Sequence, residues 1–434
     1  MRRLVFLVLI VLLYSCKKSD LQAPESPAIS TETGSSNTGN GKPTGNESPS
    51  NTWPKALVAL PKRVAFGTNG DYTQSANYIK ESDYQYQYLA DDIFTGGWAS
   101  WNSPTGEFAK KFLEKTDNMG KIPVFTYYNI VPAKNRYQDP AFANLNDSEV
   151  MNKYLADWKL LLQICNKFGK TVIIHYEPDL FGYMQFYKKD PIKSVIKVSQ
   201  SDYPDAKPFT NDLKGLAQTI VSMRDKYAPN VLLAWHASQW AAGLGLILNK
   251  PNPEQMATET ANYYESLQAP FDLIFSEFSD CDSGYDQFVN NKLNTAWWST
   301  TQFPANNDIN DFDRFQRFLK KLNQQTGQKI ILWQIPVGNT ATATCNNKSG
   351  HYKDNKAEYF LQPVLSNGNM GNIKAYGEAG VIAFLFGNGL NNCTSYLDSK
   401  RDGITGAGEA ADDDGGYLRK AVGAYYRQGA LAIQ

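Results

Sequence analysis

Thr171-Val172-Ile173-Ile174-His175-Tyr176-Glu177-Pro178-Asp179-Leu180 reads as a short β-strand that runs into His175, Glu177 and Asp179, with Pro178 stopping it one residue after the glutamate. A carboxylate therefore stands at the carboxyl end of a strand. In a parallel α/β sheet that end is where ligands bind and chemistry is placed, which makes Glu177 the first catalytic candidate.

Working outward, the same kind of apolar or aromatic run recurs at Val64 to Thr68, Tyr84 to Ala90, Ile122 to Ile130, Val172 to Glu177, Val231 to Ala237, Phe271 to Phe278, Lys329 to Pro336 and Val381 to Phe386. Amphipathic stretches separate the runs. In Ser148 to Phe168, Val150, Tyr154, Leu155, Trp158, Leu161, Leu162, Cys165 and Phe168 keep helical spacing up to Gly169, and Thr210 to Tyr227 repeats the arrangement with Thr210 or Asn211 as its cap. Eight such units predict an α/β fold, a (β/α)8 TIM barrel. A doubly wound open sheet would need a phosphate-binding glycine fingerprint, which Gly67-Thr68-Asn69-Gly70 does not supply. Long connections at Phe181 to Phe209, Ser279 to Asn310, Gly338 to Asn355 and Gly387 to Gly416 are expected to wall the carboxyl-terminal face.

The remainder of the chain suggests where the barrel works. Arg2 and Arg3 precede an apolar run from Leu4 to Leu13, shaped like a signal-peptide core, and Leu13-Tyr14-Ser15-Cys16 resembles a bacterial lipobox in which Cys16 becomes the lipidated first residue. Residues 1–15 are thus expected to be a lipoprotein signal peptide. Residues 16–53, rich in Ser, Thr, Asn, Gly, Pro and Glu, form a disordered tether, and residues 54–434 form the barrel domain. This organisation predicts a secreted monomer, lipid-anchored to a bacterial outer membrane or cell surface. Cleavage leaves 41 basic against 43 acidic residues, with no basic block to track a phosphate backbone, so nucleic acid is not the expected partner. With 25 Tyr, 22 Phe and 9 Trp, the chain has flat faces suited to stacking on sugars as well as to packing.

Strand six, ending Phe275-Ser276-Glu277-Phe278-Ser279-Asp280, also terminates in carboxylates. Alternation puts Glu177 and Glu277 on the inward side of strands four and six, facing each other across the barrel mouth. Two such carboxylates are the working parts of a glycoside hydrolase, with Asp280 in reserve as the second. His175, His236 and His351, the chain's only histidines, all fall towards the mouth as substrate contacts. Further contacts to a carbohydrate substrate are expected from Asp92, Asp179, Tyr127, Gln334 and Asn339, and from Trp98, Trp101, Trp235 and Trp240. No cofactor is called for. A metal is disfavoured because strand one lacks His-x-His and no cluster has close ligand spacing. Cys345 and Cys393, following adjacent strands, are the expected disulfide.

At the level of strand order the chain resembles glycoside hydrolase (β/α)8 barrels from Val64 to Gln434. In the large retaining clan an asparagine precedes the strand-four glutamate and the nucleophile follows strand seven; here Tyr176 precedes Glu177, and Trp333-Gln334-Ile335-Pro336 holds no carboxylate. The chitinase-like strand-four motif is also absent. Retaining α-galactosidase-like barrels use strands four and six, the placement of Glu177 and Glu277. The His-x-Glu-Pro-Asp-Leu and Trp-Gln-Ile-Pro-x-Gly-Asn stretches resemble those of uncharacterised secreted bacterial barrel proteins, which imply no activity. The expectation is an anchored glycosidase. A glycan-binding barrel without catalysis, or a metal-dependent hydrolase using His175 and His236, are the alternatives.

Overall fold

The computed structural model describes residues 57–70, 80–136, 141–278, 298–302, 309–336, 356–387 and 416–433. Eight strands, β1 (Ala65–Asn69), β2 (Tyr84–Ala90), β3 (Ile122–Tyr128), β4 (Val172–Tyr176), β5 (Val231–His236), β6 (Leu273–Glu277), β7 (Lys329–Pro336) and β8 (Val381–Gly387), close in sequence order into a barrel. Every neighbouring pair is parallel, including β1 with β8, so the predicted (β/α)8 barrel is the fold. The near-continuous apolar strands are explained by what covers them. One face packs against the helices, and the other fills the barrel interior with side chains such as Tyr84, Val124, Ile173, Leu273, Ile331 and Leu385.

Among the described residues the helices are α1 (Glu107–Asn118), α2 (Phe142–Leu145), α3 (Ser148–Phe168), α4 (Leu180–Lys188), α5 (Leu213–Tyr227), α6 (Pro253–Leu267), α7 (Asp311–Thr326), α8 (Lys356–Asn367), α9 (Gly371–Glu378) and α10 (Gly416–Arg427). Helix α3 keeps the boundaries its periodicity predicts. Asp147 caps it by accepting from the Glu149 and Val150 amides, and Gly169 ends it at φ 75°. Helix α5 starts later than expected, because Asp212, not Thr210 or Asn211, is the cap, accepting from the Gly215 amide at 2.8 Å. The Phe181 to Phe209 connection is also not all loop. Leu180, Phe181, Tyr183 and Met184 are buried, and their spacing carries α4 directly off the end of β4.

The C-terminal helix α10 latches the barrel shut at β1. Tyr425 donates its hydroxyl to Val64 O and accepts from the Leu431 amide; Tyr426 donates to Asp83 Oδ2 and accepts from the Phe66 amide. At the opposite end of the chain's chemistry, β7 carries a register shift against β8 between Leu332 and Ile335, with Gln334 at φ 56°. Such an irregularity re-aims side chains at a barrel rim. No helix among the described residues is long and apolar enough to cross a membrane.

Candidate functional site

The barrel mouth holds a continuous chain of polar side chains drawn from four neighbouring strands. Thr126 Oγ1 on β3 lies 3.4 Å from His175 Nδ1 on β4; His175 Nε2 lies 2.9 Å from His236 Nδ1 on β5; and His236 Nε2 lies 2.5 Å from Glu277 Oε2 on β6. Strand alternation explains the common orientation, since each residue is in phase with the interior positions of its strand. The setting is apolar. His175 stacks on Phe275 at 4.3 Å between centroids, and Trp333 stands edge-on to both imidazoles. Tyr88 on β2 packs 5.7 Å from Trp333, and its hydroxyl lies 3.4 Å from Gln334 Nε2.

Burial, with a second contribution from His236, pushes His175 well below the usual imidazole range, so its ring is neutral at physiological pH. Glu277 is 7% exposed, and its Oε1 has no hydrogen-bond partner among the described residues. The Trp333 indole N–H is likewise without a partner there. Two groups at the carboxyl end of the barrel are thus buried, polar and without a hydrogen-bond partner among the described residues. Tyr88, Thr126 and Phe275 were not among the sequence candidates, although the inward phase of their strands could have found them.

Glu177 does not face Glu277. Its backbone turns to φ 40° one residue beyond β4, and alternation fails there. The carboxyl swings beneath the end of β3 towards α3, where Oε1 accepts from the Asn129 amide at 2.9 Å, the Ile130 amide at 3.1 Å and the Tyr154 hydroxyl at 2.9 Å. It is fully buried, and burial raises its pKa to about 8 against the opposing pull of those three donors. In this position it pins the turn after β3. The pair of glutamates expected across the mouth is therefore corrected to one, Glu277.

Several expected sugar contacts lie in the packing between strands and helices instead of in the mouth. Trp98 is fully buried and donates from Nε1 to Asp157 Oδ2, which also accepts from the Tyr127 hydroxyl. Trp235 stacks on Tyr264 at 4.4 Å and donates to Gln328, on the helix side of β5. These three point outward because their strand positions or loops place them on the opposite phase from the histidines. Asp92 Oδ1 accepts from the Phe94 and Lys134 amides, which folds its own loop. Asp179 is buried just ahead of α4, close enough to Glu177 to add to the rise in that carboxyl's pKa. Trp101 and Trp240 are half-buried in loops after β2 and β5, edge-on to Phe108 and Tyr183.

Asp280, Asn339, His351, Cys16, Cys345 and Cys393 lie outside the described residues, as does the segment 1–53. Cys165 is buried on α3, and burial pushes its thiol far up. Among the described residues no three His, Cys, Asp or Glu side chains form a group able to hold a metal ion. His175 and His236 point their nitrogens at each other and at Glu277, whereas shared metal ligands would converge on one point.

No protein-family model matches the chain, and no curated protein matches it in sequence. Similar solved structures include a GH5 xyloglucan-specific β-1,4-glucanase from a ruminal metagenomic library, at 13% identity and a TM-score of 0.43, covering 82% of this chain and 86% of that one. A family 1 β-glucosidase from Thermotoga maritima is 11% identical with a TM-score of 0.45, over 81% of this chain and 84% of its own. A glycoside hydrolase family 5 enzyme from Prevotella bryantii B14 is 12% identical with a TM-score of 0.45, over 85% and 98%. Likeness at this level says nothing of substrate.

Proposed function

We propose that the chain is a glycoside hydrolase acting on an extracellular oligosaccharide or polysaccharide, with Glu277 as one of its two carboxylates. The observation that carries this reading is the state of that side chain. One oxygen is gripped by His236 at 2.5 Å and the other has no partner among the described residues, at the carboxyl end of a barrel strand. Trp333, Tyr88 and Phe275 supply the apolar wall such a carboxylate works against, and Trp101 and Trp240 are the stacking candidates nearest the rim loops. Asp280, three residues beyond Glu277, is the proposed second carboxylate. A separation of about 5 Å would give retention and one of about 6.5–9.5 Å inversion. The protein is proposed to act as a monomer, held at the bacterial cell envelope by a lipid on Cys16.

A second reading, a glycan-binding barrel that does not cleave, is favoured by one observation: Glu177 is withdrawn, leaving a single carboxylate in the described mouth. Reducing-end release from a broad polysaccharide panel separates the two, using the parent chain beside Glu277→Gln and Asp280→Asn. Release lost in both variants, with circular dichroism unchanged, supports the enzyme. Binding to a glycan without release by any of the three supports the second reading, and release untouched by Glu277→Gln sinks the site. Cys16→Ala tests the anchor, moving the protein from the membrane fraction to the soluble one if the lipid is there.

A further inference from the structure

We propose that Thr126 and His175 are positioning residues that fix the direction of the hydrogen-bond chain, so that Glu277 is held as an acceptor on Oε2 and presents Oε1 to a ligand. With both rings neutral the four groups can be bonded in two concerted registers, and a doubly protonated His236, donating to both neighbours, would leave the Thr126 end as the second of them does. In the first, the Thr126 hydroxyl donates to His175 Nδ1, His175 Nε2–H donates to His236 Nδ1, and His236 Nε2–H donates to a Glu277 carboxylate. In the second every arrow reverses: a protonated Glu277 donates to His236 Nε2, His236 Nδ1–H to His175 Nε2, and His175 Nδ1–H to the threonine oxygen.

The two differ at the far end of the chain. Thr126 is fully buried, and its hydroxyl oxygen has His175 as its one side-chain partner among the described residues. In the first register its hydrogen is used. In the second that hydrogen has no side-chain acceptor among the described residues, which is the costly case for a buried donor. At the near end, an N–H aimed at a carboxylate at 2.5 Å fits a charge-assisted bond better than one between neutral groups. Both ends select the first register. His175 reaches no ligand itself; it sets the tautomer of His236, which in turn assigns Glu277 Oε2 to the protein and Oε1 to chemistry. That last consequence rests on the hydrolase reading, while the register itself does not.

Three histidines make the test direct. Full-length chain carrying His351→Gln and labelled with nitrogen-15 on histidine yields two imidazoles, whose nitrogen shifts distinguish Nδ1–H, Nε2–H and doubly protonated rings. At neutral pH both rings are expected as neutral Nε2–H tautomers. Thr126→Val, equal in shape and lacking the hydroxyl, is expected to populate both tautomers of His175 and His236, and Thr126→Ser to restore the single one. A parent chain with Nδ1–H at His236, or with either ring doubly protonated, overturns the proposal. So does a Thr126→Val spectrum that matches the parent. The readout needs no turnover, so its failure leaves the hydrolase reading standing, and a chain without hydrolytic activity leaves the register standing.

Discussion

Replacing Glu177 by glutamine separates a structural carboxyl from a catalytic one. The fully buried side chain titrates near 8 instead of at an ordinary 4.5. Between those two values the folded chain holds a proton that the unfolded chain has released, so stability is fully present below 4.5, falls as pH rises, and levels off above about 8. At 1.36 kcal/mol per pH unit, the gap between 4.5 and about 8 amounts to about 5 kcal/mol. Glutamine keeps one oxygen for the Asn129 and Ile130 amides and the Tyr154 hydroxyl, and puts its amide nitrogen where Oε2 has no partner among the described residues. Glu177→Gln should therefore match the parent near pH 5 and exceed it by up to about 5 kcal/mol above pH 8. Glu177→Ala instead orphans three donors at every pH, a loss of about 3–9 kcal/mol at the 1–3 kcal/mol typical of each. Urea unfolding followed by tryptophan fluorescence from pH 5 to 9 measures the difference, and subtracting the two curves cancels every other titrating group. Parallel curves for parent and Glu177→Gln would refute the burial argument. A folded Glu177→Gln protein that had lost glycan cleavage would show that this carboxyl does chemistry after all.

Other positions test the same packing. Asp157 is raised to about 6 by burial, opposed by the Trp98 and Tyr127 donors; Asp157→Asn should remove a loss of about 3 kcal/mol that the parent shows between pH 3.8 and 6. Gly215→Ala would set a Cβ 2.0 Å from the Thr210 carbonyl oxygen, so a cost of about 3 kcal/mol or more is expected by thermal unfolding. Asp272 accepts from the Leu233 amide and pairs with the buried Arg224, and Asp272→Ala should cost up to about 3–5 kcal/mol by leaving that guanidinium with only the exposed Asp225 and the Val231 carbonyl.

The barrel was legible because its signals are local and repeated. Eight apolar runs each predict a strand whatever the others do, and Asp147 with Gly169 bounds α3 by side-chain and backbone rules that operate within four residues. Strand ends shifted by one or two residues, as at β3 and β6, and two helix starts moved where a nearby competitor won. Asp212 outbid its two neighbours for the cap of α5, and the first turn of α4 followed Pro178 without the loop that the long connection suggested. Aromatic residues were harder to place. Trp98, Tyr127 and Trp235 are needed by half-buried partners, Asp157 and Gln328, that periodicity alone does not pair with them.

The site was half legible, for a reason that lies in backbone geometry. Alternation carries a side chain inward only while the strand stays extended. It holds to Glu277, the last residue of β6, and fails at Glu177, where φ turns positive one residue past β4. Two glutamates, one the last residue of its strand and the other one residue beyond, thus end in opposite surroundings, one in the mouth and one under the β3 turn. The histidines show the converse. Their convergence on the mouth could be read from strand phase, but their contact depends on register: His175 pairs with Ala234, which sets His236 one interior step further along β5, and His236 pairs with Phe275, which sets Glu277 one step further along β6. Each strand in a sheared barrel is staggered against the last, so interior side chains two residues out of register become neighbours on a rising diagonal. His175, His236 and Glu277 follow that diagonal, and Thr126 joins it as the direct register partner of His175. A polar chain of this kind is dictated by barrel shear as much as by the residues themselves, and no reading of single strands could have joined it.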